Sequence, residues 1–179
     1  MGLAYADASS TILLYKTGLL DAFTDAWNPA WSRGVFTELT CPGYPGENRF
    51  TALADRGRVR ILTPEPVPSS GCKTWPDRNR MDLGEYETLC LYLHNREGFI
   101  LADDKKAARF CLDAGIPFIN ALLVPKLLYF AGRMDANSAS RKTQDLSREG
   151  RYSDRIHEKA RALDQDDLAF FIKEMRPCP

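Results

Sequence analysis

The chain has 179 residues, 44% hydrophobic and 27% charged, which suits one folded domain with a sizeable core and excludes wholesale disorder. Lys plus Arg and Asp plus Glu number 24 each, so the formal net charge is zero. That balance speaks against a whole face built for non-specific nucleic-acid binding and leaves room for a local basic patch.

The elements read as follows in chain order. The first residues lack a basic leader region and Asp7 interrupts the apolar run, so no secretory leader is expected. Residues 3–6 (LAYA) make a short buried strand ending at Asp7. Ser9, Ser10 and Thr11 then offer cap oxygens for a helix over ILLYKTGLLDAF. Trp27 to Thr40 reads as a short strand or turn followed by a helix over VFTEL, and the Pro- and Gly-rich stretch from Cys41 to Arg49 as a loop. FTALADRG is a short helix ended by Gly57, and RVRIL alternates as a strand does. Thr63 to Arg80, with four prolines, is a long loop, the kind that carries function or moves. Asp82 to Glu97 is a helix, FILAD a strand, DKKAARFCLDAG a helix ended by Gly115, IPFIN a last strand and ALLVPKLLYFAGRM a last core helix. This order predicts an α/β fold, a three-layer sandwich with a mostly parallel central sheet over residues 1–134. Residues 135–179 form a C-terminal helical extension: a polar linker to residue 153, then an amphipathic helix between Asp154 and Met175.

Five cysteines, at 41, 72, 90, 111 and 178, form no C-x-x-C pair, and His94 and His157 lack ligand spacing. A structural zinc site is not expected, and the usage suits a reducing cytoplasm. No apolar run approaches the roughly 18 residues of a membrane span.

The chemistry-bearing feature is a set of carboxylates at the corners of these elements: Asp7, Glu38, Glu85, Glu87, Asp103 and Asp104. Acids at the carboxyl ends of strands stand at the mouth of an α/β fold, where ligands bind. Several converging there build a hard-cation site suited to metal-assisted hydrolysis. Each also has a plain structural reading. Asp7 serves as the cap of the helix that follows, Glu38 as a solvated helical acid, and Asp82-x-x-Glu85 has capping-box spacing. Glu85 lines up with Leu89, Tyr92 and Leu93 on the inward stripe, which favours it over Glu87 without deciding between them. Asp103 and Asp104 are two acids where a cap needs one; Asp103 suits the site, and Asp104 the cap or a second ligand. On the long loop, Lys73, Trp75, Arg78 and Arg80 alternate phosphate-pairing with base-stacking groups, and Lys105, Lys106 and Arg109 flank the acids. A solvated loop with Trp75 packed on the body is the alternative.

ADASSTILLYKTGLLDAF resembles the opening of PIN-domain proteins, and GVFTEL the helix that carries that family's second acid. GEYETLCLYLHNREGFILADDKKAARFCLDAGIPFINALLVPKLLYFAGRM is similar to the second half of a PIN subgroup with a Gly-Glu-x-Glu helix and a strand ending in Asp-Asp. The resemblance covers roughly residues 3–134, with a weakly matched middle from 41 to 80. It implies a Mg²⁺- or Mn²⁺-dependent endoribonuclease of single-stranded RNA, of a kind often found as a toxin inhibited by a small antitoxin and often dimeric. It implies site acids Asp7, Glu38, Glu85 (or Glu87) and Asp103, with Asp104 adjacent and Ser9 helping to position a metal ligand. A catalytically inactive scaffold for protein or RNA is the alternative reading. An aspartyl-nucleophile phosphohydrolase is disfavoured, since Ala8 and Ser9 follow Asp7 where a D-x-D motif needs a second acid.

Overall fold

The computed structural model describes residues 2–65 and 75–177. Five short strands form one all-parallel sheet: β1 (Ala4–Ala6), β2 (Pro29–Ser32), β3 (Arg60–Leu62), β4 (Phe99–Leu101) and β5 (Phe118–Ile119), in the order β3-β2-β1-β4-β5. In register, Tyr5 sits between Ala30 and Ile100, Trp31 beside Ile61, and Leu101 beside Ile119. Pro29 costs no ladder bond because it is the first residue of its strand.

Alternation along these strands splits the interior into two layers. Ala4, Ala6, Trp31, Phe99, Leu101 and Ile119 point into one core. Tyr5, Ala30 and Ile100 point into the other. The larger core is covered by α1 (Ala8–Lys16), α2 (Leu20–Ala26), α3 (Arg33–Leu39), α4 (Glu47–Asp55), α7 (Val124–Phe130) and α8 (Ala136–Glu149). The smaller is covered by α5 (Leu83–Asn95), through Leu89, Leu91 and Leu93, and by α6 (Lys105–Ala114), through Ala107 and Cys111. This is the three-layer sandwich that the element order predicts, and every pairing in its sheet is parallel.

Three elements differ from expectation. The helix expected over ILLYKTGLLDAF is two, α1 and α2. Thr17 closes the first, and Gly18 follows at φ +67, a backbone state that ends a helix and that glycine enters without strain. The polar stretch after residue 134 is largely helix: Asp135 caps α8 by accepting from the Ser138 amide, and Leu146 is fully buried in the larger core. The amphipathic helix expected over 154–175 is also two, α9 (Asp154–Ala162) and α10 (Ala169–Lys173). Between them Asp164 accepts the amides of Asp166 and Asp167 in a turn. No helix among the described residues is long and apolar enough to cross a membrane.

Candidate active site

The strand order opens a crevice between β1 and β4. From β1 the chain moves outward to β2 and β3, and from β4 it moves the other way to β5, so the loops leaving β1 and β4 diverge. Asp7 leaves β1 there and Asp103 follows β4 by two residues. The Asp7 amide donates to Leu101 O at 3.0 Å, which ties the two strand ends together.

Asp7 is 2% exposed and caps α1: one carboxylate oxygen accepts the Ser10 amide at 2.7 Å, and its main-chain oxygen accepts the Thr11 hydroxyl at 2.7 Å. The other carboxylate oxygen is buried without a partner, as is the Ser10 hydroxyl. Burial, then the negative charge of Asp103, raises the Asp7 pKa to about 7 against the pull of Ser10; Glu85 adds a smaller push. Asp103 also lies above the usual carboxylate range through burial, opposed by the Tyr152 hydroxyl, the nearby Ser10 hydroxyl and the Ala121 amide. Tyr152 donates to Asp103 Oδ1 at 2.6 Å and Ala121 N to Oδ2 at 3.0 Å. Asp104 caps α6, accepting the amides of Lys106 at 2.6 Å and Ala107 at 3.2 Å.

Glu85 and Glu87 divide cleanly. Glu87 reaches across to α3 and accepts the Gly34 amide at 2.6 Å, so its work is to dock two helices. Glu85 keeps one carboxylate oxygen buried and unpartnered, and its pKa is raised by burial, then by Asp104 and Asp82. Glu38 is exposed on α3; burial of part of its side chain and the charge of Asp82 raise its pKa. The fold thus gathers Asp7, Glu85 and Asp103, with Asp104 beside Glu85, and leaves Glu38 at an outer rim that Asp82 connects to Glu85. Among the described residues no three His, Cys, Asp or Glu side chains stand close enough together to hold a metal ion as placed. The donor set still fits a hard cation, because buried, unpartnered oxygens of Asp7, Ser10 and Glu85 are costly unless something positive or hydrogen-bonding meets them.

Ser9 is exposed, while Ser10, one position on, faces the acids. The cap of α1 falls on Asp7, and this phase turns Ser10 and Thr11 inward. Two further groups were not singled out from sequence. Tyr152 lies in a stretch that reads as linker, and Asn120 follows β5 with its side-chain oxygen buried and unpartnered at the same edge of the sheet. A polar residue directly after a strand was a signal for Asn120; for Tyr152 there was none.

Beside the acids an open groove of about 830 Å³ runs past Trp75, Arg80, Lys105, Lys106, Arg109 and Phe110. Asp77 and Asp113 line it too, the latter paired with Arg109 at 2.9 Å, and the charge of Lys106 acts to lower the pKa of Glu85. Trp75 packs on the body, its ring 4.9 Å from that of His94, while still lining the groove. Lys73 lies outside the described residues.

A family model described as a PIN domain matches residues 4–163. The chain belongs to the PIN-domain family, whose members are typically metal-using nucleases, and its sheet and acid-lined crevice are consistent with that membership. No curated protein and no solved structure matches it.

Proposed function

We propose that this protein is a Mg²⁺- or Mn²⁺-dependent endoribonuclease acting on single-stranded RNA, the toxin of a toxin–antitoxin pair. The observation that carries this reading is the trio of buried, unpartnered oxygens on Asp7, Ser10 and Glu85, beside Asp103 at the switch point of a parallel sheet. Asp7, Glu85 and Asp103 would hold the ion, with Asp104 adjacent. When bound, the ion supplies Lewis acidity toward the phosphodiester oxygens and an attacking water.

The chain's own residues do the rest. The Ser10 amide and the end of β4 fix Asp7, and Ala121 and Tyr152 fix Asp103. Lys105, Lys106 and Arg109 offer phosphate contacts along the groove, and Trp75 and Phe110 offer faces on which unpaired bases stack. A protein antitoxin or a second copy would be the protein partner; exposed Tyr129 and Phe170 are apolar surface that such a partner could cover. A cytoplasmic setting accords with the free thiols of Cys41, Cys90 and Cys111.

A second reading, a catalytically inactive scaffold, draws support from the acids' failure to close into a cluster of three as placed. The test is cleavage of a mixed panel of single-stranded RNAs with Mn²⁺, with EDTA, and by Asp7→Asn. Cleavage that requires both the metal and Asp7 is expected. Absence of cleavage together with absence of Mn²⁺ binding by calorimetry would establish the scaffold instead.

A further inference from the structure

Asp103 is held from both sides by groups that lie after it in the chain. Ala121, in the turn after β5, donates to one carboxylate oxygen at 3.0 Å. Tyr152, in the loop joining α8 to α9, donates to the other at 2.6 Å, the short length of a hydroxyl bonded to an anion. Each oxygen accepts one bond here and keeps a further acceptor direction.

The Tyr152 contact is built, not incidental. Its ring lies over Gly150, where an added Cβ would stand 2.4 Å from a ring carbon, so a side chain at 150 would displace the ring. The ring also meets His157 edge-on, with centroids 5.9 Å apart. On one side α8 is anchored by fully buried Leu146 and by Lys142, which donates to Thr17 O. On the other, Lys126 ties down α9 by donating to Ala160 O at 2.8 Å and Arg161 O at 3.0 Å. The Tyr152 hydroxyl bonds Asp103 alone among the acids and leaves the second carboxylate oxygen of Asp7 without a partner.

We propose that Tyr152 is a positioning residue of the acid site: its hydroxyl locks the Asp103 carboxylate in the orientation in which it joins Asp7 in binding a divalent cation. The C-terminal segment is thereby part of the active site. This rests on the reading of Asp103 as a metal ligand. Burial and the Asp103 charge raise the phenol's pKa, which keeps it a donor. Hydrogen-bond partners of metal ligands commonly contribute about 10–100-fold in metal affinity or activity.

The test uses the full chain as wild type, Tyr152→Phe, His157→Ala and Asp103→Asn, titrated with Mn²⁺ by calorimetry and assayed on single-stranded RNA. Tyr152→Phe keeps the ring and loses only the hydroxyl. It is expected to weaken Mn²⁺ binding about tenfold or more and to lower kcat, with KM for RNA unchanged. His157→Ala, which disturbs the ring's neighbour and spares the hydroxyl, is expected to bind Mn²⁺ as wild type does. Unchanged or tighter Mn²⁺ binding by Tyr152→Phe overturns the proposal, the tighter case marking Tyr152 as a plug. Equal losses in Tyr152→Phe and His157→Ala also overturn it, by reducing the effect to packing. If Asp103→Asn binds Mn²⁺ like wild type, or wild type binds none, the proposed metal site itself fails and this inference falls with it.

Discussion

Asp7 shows what the site costs the fold. Its carboxyl is buried, one oxygen has no partner, and its pKa stands near 7 instead of the usual 3.8. An unfolded chain loses this proton near pH 4 and the folded chain near pH 7, so between those values the folded state binds more protons. Asp7 therefore subtracts from stability as pH rises through that window, by at most about 4 kcal/mol. Urea unfolding of the metal-free protein should show stability falling from pH 5 to pH 8. Asp7→Asn, which keeps a cap oxygen, should flatten the fall and be the more stable protein at pH 8. Asp7 was legible in the sequence because a lone acid ends an apolar strand. Which serine beside it faces the acids was not, since that depends on where the helix cap falls, and a shift of one residue turns a helix by about 100°. That shift leaves Ser9 exposed and turns Ser10 inward.

At the scale of elements, α5 carries two acids in opposite settings. Glu87 closes on the Gly34 amide in the first turn of α3, where a negative charge also suits the helix dipole. Glu85 is partly buried without a partner for one oxygen. Glu87→Ala should cost about 1–3 kcal/mol by chemical denaturation, because it strands a donor and unties two helices. Glu85→Ala should cost little or no stability yet reduce RNA cleavage, and the reverse pattern would exchange their assignments. The inward stripe of Leu89, Tyr92 and Leu93 was enough to prefer Glu85. What Glu87 touches was not readable, because Gly34 lies on another element and only the packing of α3 against α5 brings it near. Strong apolar periodicity likewise placed α5 and α6, whereas α8 read as linker: apart from Leu146 and Ala139 it buries little, and its composition is that of a solvated chain.

At the scale of the molecule, the alternation of strands and helices announced a parallel sheet, but not where the strand order reverses, and that reversal is what sets Asp103 beside Asp7. Nor did the change of composition near residue 134 mark the edge of what packs together, since Leu146 lies in the same core as Ala4 and Phe99. Leu146→Ala should therefore destabilise the entire chain by about 2–5 kcal/mol in one cooperative transition. A separate early transition, with the remainder unaffected, would show residues 135–179 to be an independent appendage.

The pairing of β1 with β4, Ala4 against Phe99, has a consequence in time. A chain emerging residue by residue presents Asp7 well before the strand that brings its acid partner Asp103, and Tyr152 later still. Contacts so distant in sequence close slowly and late. A fragment ending before β4 lacks one acid of the pair, and under the proposed function it would lack the metal site as well, while one ending before Tyr152 would lack the hydroxyl that holds Asp103.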